Sequence, residues 1–428
     1  MTVCDTVIVG AGLAGLVAAR RLMEGRQSLV VLEARERTGG RVFGMERGGR
    51  AIQLGGRWTG PGQDRIKALA RELGIGVRVS TTFRGEDVLD DGLQVAVRRI
   101  DGLADGVPLE APWRAAEAAS WDRETLATWL DREVGGSAAR TLAGLLIGFL
   151  PDPAECSLLH AFTYLKSNGG LASIMGLDGP AHDSELFAGG AHALTDRLSR
   201  DLGEHVRLNS PVHRLCQDAS GVTAQSASGE VRARHAVVAL PPVLAGRLAY
   251  DPPMPAQRDY LTQRMPIRGK VAFAALYARP FWREARGTRA VSSEDVVAWD
   301  EGDEGDLACI GGLSSIVRSR EIAALPAAER RAAVLADLAA LLGPLAREVD
   351  CFHAIDWAAE PWSRGCNSFL ATGCWTAYGP ALRPAVGRIH WAGAEYAERF
   401  IGQMEGAVST AEGAAKRILD ESGATAEG

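Results

Sequence analysis

Lysine is scarce in this 428-residue sequence: Lys67, Lys166, Lys270 and Lys416 are the only four, and arginine supplies the other 43 of 47 basic side chains. The skew reads as base composition, and it matters only where one of the four falls at a chemical position. No dense Lys/Arg tract occurs and the net charge is −6, which excludes an electrostatic grip on nucleic acid. Long apolar runs are missing too. The longest, Leu142–Leu150, is broken by Gly144 and Gly148, against the ~20 residues a spanning helix needs, so no membrane partner is expected. Seven scattered cysteines form no CxxC pair and no Cys/His cluster; no metal is expected, and the pattern fits a reducing cytoplasm. No charged-then-apolar leader precedes the first strand pattern, and the tail after Leu419 is short and polar, so neither a signal peptide nor an anchor is expected. Repeats and low-complexity segments are absent.

Glycine is present in excess, 50 of 428, against an average share of roughly 7%. With no collagen period and no Gly/Ser linker, these glycines are expected to serve turns and close backbone approach. Hydrophobic content of 46% and charged content of 23% describe a globular chain, long enough for two or three domains at roughly 150 residues each.

The segment TVIVGAGLAGLVAARRLMEGRQSLVVLEAR orders a buried strand (Thr6–Val9), the turn Gly10-Ala11-Gly12-Leu13-Ala14-Gly15, a helix of small apolar residues and a second strand, Leu29–Leu32, ending at Glu33-Ala34. That is a dinucleotide fingerprint in its required context. Gly10 makes the tight turn, Gly12 lets backbone approach a pyrophosphate, and Gly15 lets helix and strand pack closely. The helix N-terminus offers N–H donors and a positive dipole, and Glu33 is placed to accept from ribose hydroxyls. Arg35-Glu36-Arg37-Thr38-Gly39-Gly40-Arg41 and Leu54-Gly55-Gly56-Arg57-Trp58 follow. Two more double glycines, the first with Arg41 or Arg35 placed to neutralise phosphate and the second beside an aromatic, suit an extended FAD rather than NAD, which disfavours a nicotinamide-dependent enzyme.

LEARERTGGR and LGGRWTGPGQDRI resemble the flavin-containing amine oxidase family. The similarity continues through FAGGAHALTDRL (187–198), HVRLNSPVHRL (205–215), HAVVALPP (235–242), GKVAFAALYARPFWR (269–283), DWAAEPWSRGC (356–366) and IHWAGAEYAERFIGQMEGAVSTAEGAA (389–415), in family order from end to end. The resemblance implies an α/β (α+β) fold: a Rossmann-type FAD-binding domain of the glutathione reductase-like class, with an inserted, partly helical substrate domain. The FAD domain is expected to be discontinuous, from 1–78, 186–250 and 375–428, with the substrate domain from 79–185 and 251–374. Helical periodicity fits this division. Leu126, Trp129 and Leu130 share a face within 125–131, and another helix is expected from Ala327 to Leu342, stopping at Gly343-Pro344.

Lys270 stands in the apolar run Gly269–Ala274, where a charge is costly. In the family the matching lysine holds a water against flavin N5 and assists reoxidation by O2. Trp357 matches an aromatic that packs near the isoalloxazine. Cys366 matches the cysteine that carries a thioether to the flavin in mammalian monoamine oxidases; noncovalent FAD is expected, with the Cys366 thioether as the alternative. Val212, Gly393 and Glu395 are carried over as cofactor contacts. Met404-Glu405-Gly406-Ala407 is expected to open a helix whose N–H groups face the flavin O2/N1 edge, where its dipole favours negative charge.

Two positions depart from the family. The amine is commonly sandwiched between two aromatics; here those positions are Asn367 and Gln403. Aromatic faces attract a cationic or neutral amine, whereas two amides orient a substrate by hydrogen bonds, which points to a polar, functionalised amine. Phe369, Trp375 and Tyr378 stand nearby in sequence as a candidate aromatic wall. A third departure is His182-Asp183, where relatives often carry glutamine. Within a pocket, Asp183 would pair with a cationic substrate and His182 accept a proton; the composition of 179–184 equally suits a solvated turn.

The expected activity is oxidation of a C–N bond by hydride transfer to flavin N5, giving an imine that hydrolyses and H2O2 on reoxidation by O2, in a bacterial, cytoplasmic enzyme for which a homodimer is one open assembly. Two rival readings stay open: a flavin-dependent desaturase, dehydrogenase or L-amino-acid oxidase, for which an arginine such as Arg364 would grip a carboxylate, and a non-catalytic flavin-binding protein.

Overall fold

The computed structural model describes residues 2–47, 50–80, 91–146, 150–177, 179–180, 184–286, 290–293, 295–302 and 308–426. Strand β1 (Thr2–Val9) leads through Gly10–Gly12 into helix α1 (Leu13–Glu24), and the chain returns in β2 (Leu29–Leu32). β1 lies between β2 and the long strand Gly229–Val238 and is parallel to both, so the second halves of these strands are covered on both faces and read as continuous apolar runs. Val206–Arg207 extends the parallel edge beside β2. On the other side, the antiparallel strands Val212–Asp218 and Gly221–Ser226 join the first half of Gly229–Val238, while Ile389–Trp391 pairs with its second half.

Side-chain alternation splits the sheet between two cores. Ile8, Val31 and Val237, aligned across three strands, face α1 and the C-terminal helix Met404–Ala426. Val7, Val9, Val30, Leu32 and Val238 face the opposite way, into a core shared with the helices Asp91–Ala104, Leu126–Glu133 and Leu158–Ser167. The last of these is the most enclosed: every residue but Lys166 is buried. Ser157 caps its N-terminus and is itself held by the buried carboxylate of Asp122, which also receives Thr376.

A second, five-stranded sheet is antiparallel throughout, with the order Ala290–Ser292, Val296–Asp300, Cys309–Ser314, Val271–Leu276, Cys351–Asp356. Val271, Phe273 and Ala275 pack against Trp282 and the helix Ala327–Leu342. That helix ends where Gly343 takes φ +95°, as expected from Gly343-Pro344. Ala274 and Leu276, of the opposite parity, pack on Ile52 and Leu54. Parity thus turns one face of this sheet toward the second glycine block. No helix among the described residues is long and apolar enough to cross a membrane.

Candidate active site

The glycine segments converge. A Cβ on Gly15 would overlap the carbonyl oxygen of Gly10, so α1 can approach the end of β1 only without one. Gly10 has φ +100°, open to glycine at little cost. Gly12 pairs as an isolated bridge with Gly39, and a Cβ on Gly40 would stand 3.1 Å from the Gly12 Cα. A Cβ on Gly55 would overlap the Arg41 carbonyl, and Gly56 abuts the Met404 side chain. Residues 10–15, 39–41, 55–56 and the start of the C-terminal helix therefore come together as the candidate cofactor cleft, bordered by bare backbone.

Polar groups around it suit a dinucleotide. Gly12 is the N-cap of α1, without a side-chain cap and with no acidic residue in the first turn, leaving N–H groups for phosphate. Glu33, buried at the end of β2, accepts from the backbone N–H groups of Ala11 (2.7 Å) and Arg35 (2.9 Å), so its carboxylate also holds the glycine turn; a carboxylate keeps acceptor capacity beyond these two bonds. Arg37 donates to the carbonyls of Thr38 and Gly40 through Nη1, while its buried Nη2 makes no hydrogen bond. Val212 is near Glu33 in the fold because the Ser210 N–H donates to the Glu33 carbonyl at 2.7 Å. Leu13, Ala14 and Ala407 are buried in the core under the cleft.

Arg41 and the buried Glu395 form a two-pronged ion pair at 2.6 and 2.9 Å. Burial opposes both charges, yet each partner outweighs it: Arg41 is held above and Glu395 below its ordinary range. The Ser368 N–H also reaches Glu395, at 3.3 Å. Gly393 donates to Thr410 Oγ1 on the C-terminal helix at 2.9 Å. Glu405 is turned away from the cleft and caps the helix Asp64–Glu72 through the N–H groups of Arg65 and Ile66.

Lys270 is buried just before the strand Val271–Leu276, continuing the parity of Ala272 and Ala274. Its carbonyl accepts from the Trp357 N–H at 3.0 Å, and Trp357 Nε1 donates to the Leu54 carbonyl at 2.9 Å. One tryptophan thus ties the lysine to the Gly55-Gly56 turn. Burial, and then the neighbouring Arg268, push the Lys270 ammonium well below its ordinary value, with Cys366 pulling the other way. Cys366 is half-buried and its backbone pairs with Arg268.

Asn367 follows with φ +51°, which asparagine tolerates, and its amide lies against Gly402, where a Cβ would come within 2.9 Å. Gln403 is the next residue, and its Nε2 donates to the Tyr164 hydroxyl at 3.1 Å. The Asn367 amide thus packs on the residue that precedes Gln403. A cavity with room for about one water molecule is lined by His160, Tyr164, Arg268, Asn367, Phe369 and Gly402, and Gln403 reaches it through Tyr164. Trp375 Nε1 donates to His160 Nδ1 at 3.3 Å, and burial pushes His160 down to about 3, so the ring is neutral.

Other expected positions fall elsewhere. Arg57 is buried in an ion pair with Glu301 and stacks over Trp58 (4.6 Å) and Trp299 (5.3 Å), so its charge is engaged by the second sheet. Arg35 is spread over Glu33, Glu360 and Ser363. Arg364 is exposed. His182 and Asp183 lie outside the described residues. Sequence reading overlooked Arg268, His160 and Tyr164. The signals were a second cation two residues before Lys270, and two polar aromatics spaced i, i+4 on an otherwise apolar helix.

Comparisons with known proteins agree with this geometry. Residues 13–419 match the family described as flavin containing amine oxidoreductase. An L-amino acid dehydrogenase of Synechocystis sp. is 35% identical over 97% of this chain and 95% of that protein. Human flavin-containing amine oxidase B is 32% identical over 98% of this chain and 87% of that protein. Among solved structures, cyclohexylamine oxidase from Brevibacterium oxydans superimposes with a TM-score of 0.91 at 30% identity, covering 98% of this chain and 99% of that one.

Proposed function

This chain belongs to the family of flavin containing amine oxidoreductases, and from that premise we propose that it oxidises the C–N bond of an amine carrying a further polar group, with O2 as the final electron acceptor. The observation that carries the substrate class is the amide pair Asn367 and Gln403, adjoining across Gly402 beside a cavity lined by Tyr164, His160 and Arg268. FAD, when bound, supplies the two-electron acceptor for the substrate carbon. We assign 1–78, 186–250 and 375–428 to the domain that holds it, and 79–185 with 251–374 to the substrate side.

The chain's own residues do the rest. Gly10, Gly12, Gly39 and Gly40 would admit the pyrophosphate to the α1 N-terminus, Arg37 and Arg41 would donate to its oxygens, and Glu33 would orient the ribose. The first turn of Met404–Ala426 leaves backbone N–H groups without intrahelical acceptors, which would donate to the bound cofactor. Asn367 and Gln403 donate to and accept from the polar group of the substrate and set the angle at which its carbon meets the flavin. Lys270, whose charged form burial disfavours, holds or hands on a proton at Nζ through water. The productive substrate is the neutral amine, so kcat/KM falls as pH drops below the substrate's own pKa. Cys366 is given no covalent role.

A second reading has its own support. Arg268, buried beside the cavity, suits a carboxylate, and one relative is an L-amino acid dehydrogenase; on that reading the substrate is an amino acid and the acceptor is not O2. Anaerobic bleaching of the bound flavin across amines, polyamines and L-amino acids, followed by an O2 pulse, separates the two. Bleaching by polar amines with fast recovery in O2 is the expected result. Bleaching by amino acids alone with slow recovery would establish the second reading, and no bleaching by any of them would remove both.

A further inference from the structure

Far from the cleft, three metal-binding side chains meet where the sheet and the C-terminal helix close on each other. His235 lies on the strand Gly229–Val238, and His390 on the neighbouring Ile389–Trp391, where it pairs with Val237. The alternation of strand side chains puts His235 and Val237 on one face, so both imidazoles project toward the helix Met404–Ala426. Glu421 comes from the last turns of that helix, 17 residues beyond Met404, or about 25 Å along its axis. We propose that His235, His390 and Glu421 form a binding site for a divalent transition-metal ion of the zinc class, separate from the amine-oxidising site.

One ligand atom from each residue lies within 4.8 Å of the other two. The carboxylate oxygen Glu421 Oε2 is 3.5 Å from His235 Nδ1 and 3.8 Å from His390 Nε2, against a ligand–ligand edge of about 3.3 Å in a tetrahedral site with zinc bonds near 2.0–2.1 Å. The longest edge of the cluster is within 4.8 Å, so the site contracts when an ion enters. Both histidines are buried, and His235 Nδ1, His390 Nδ1 and His390 Nε2 make no hydrogen bond, although buried polar atoms ordinarily find a partner. The rings stand 5.6 Å apart and tilted, not stacked. Glu421 is half-exposed, which gives an ion an approach from solvent and leaves a coordination position for water.

Charge in the surroundings is mixed. Arg234, Arg388 and Arg417 oppose a cation, while Asp5 and Glu421 favour one. Burial is the larger influence on both rings: it lowers His235 and brings His390 down to about 4, so each presents the neutral, ligating form at neutral pH. Without an ion, the cluster leaves three buried nitrogens unsatisfied. With one, the last turns of the C-terminal helix are pinned to two strands.

The test titrates chelator-treated, FAD-loaded protein with Zn2+ by calorimetry and follows Tm in parallel. One ion per chain is expected, with a Tm that rises as Zn2+ is added. Glu421→Gln, on the exposed side, and His235→Gln should each weaken binding by at least the roughly tenfold that even an outer-shell partner contributes, and shift the Tm rise to at least tenfold higher Zn2+, while the flavin spectrum shows that the variants fold. The absence of binding up to about 100 µM free Zn2+, or binding that survives both substitutions and so belongs to cysteines elsewhere, would overturn the proposal.

Discussion

Around Gly10, Gly12, Gly15, Gly39 and Gly40 the molecule presents bare backbone, held at contact distance by two adjoining loops and a helix end. Around Asn367 and Gln403 it presents side chains instead: a neutral imidazole, a phenol, a guanidinium and two amides, drawn from four separate stretches of chain. On the proposed function the first region receives a ligand that never changes, and an added Cβ at Gly15 or Gly39 has nowhere to go. On the same proposal the second would receive whatever its side chains can bond, and exchanging one side chain should alter preference without dismantling the wall. Tolerance to substitution should therefore be abrupt in the cradle and graded in the pocket.

The largest expected effect is at Gly15. Gly15→Ala places a methyl on the Gly10 carbonyl, so α1 or the end of β1 must move. We expect loss of FAD, read as the collapse of the visible-to-ultraviolet absorbance ratio, with destabilisation of about 4 kcal/mol or more. Gly102 is the control. It lies in the helix Asp91–Ala104 with nothing within 4 Å of an added Cβ, and Gly102→Ala should stabilise by about 0.5–1 kcal/mol. Similar behaviour of the two variants would break the comparison. Next is Glu395→Gln, which leaves Arg41 facing an amide in place of its carboxylate; removing one partner of such a pair costs about 3 kcal/mol, and a Tm unchanged within a degree would show that the pair is not what holds the cleft.

Legibility follows the same division. A backbone-lined site announces itself locally, because glycine at fixed offsets between strand and helix has few other uses; the turn after β1, the limits of Leu29–Leu32 and the stop at Gly343 were all readable. A side-chain site depends on which distant residues the fold brings together. Family alignment could point to Asn367 and Gln403, but not to the Tyr164 hydroxyl that Gln403 meets or to Arg268 beside them. Arg57, after the second double glycine, is expected from sequence at the cofactor, yet Glu301, 244 residues away, engages it. His235, His390 and Glu421 form no recognisable spacing, since strand pairing and the length of the last helix make the cluster.

Lys270 stands between the two regions and sharpens the contrast. Lys270→Met should leave anaerobic flavin reduction within a few-fold and slow reoxidation by O2 by about a hundredfold, the lower range for a positioned proton-handling group; unchanged reoxidation in stopped flow would remove that role. Its stability signature has a definite sign. The folded-state pKa of Lys270 is depressed, so between that value and its ordinary value near 10.5 the unfolded chain binds the extra proton. Stability conferred by this site therefore rises with pH across that window. The methionine variant should lose this slope and melt a few degrees higher at neutral pH, and a lower melting temperature would mean that the lysine is held by favourable contacts that outweigh its burial.

The smallest effect should come from Gln403. Gln403→Leu removes one hydrogen bond to Tyr164, worth about 1 kcal/mol, and replaces an amide by an apolar group of similar size next to Asn367. Folding and FAD content should not change, because Gln403 precedes the helix Met404–Ala426 and the variant leaves its backbone N–H bond to the Phe400 carbonyl in place. Discrimination should change. For polar amines kcat/KM should fall about fivefold, the equivalent of that one bond, while for aliphatic amines of the same length it should hold or rise, since an apolar wall no longer asks them to leave an amide unpaired. A uniform fall across both substrate classes would mean that Gln403 supports the helix start, not the substrate, and the pocket would then share the all-or-none character of the cradle.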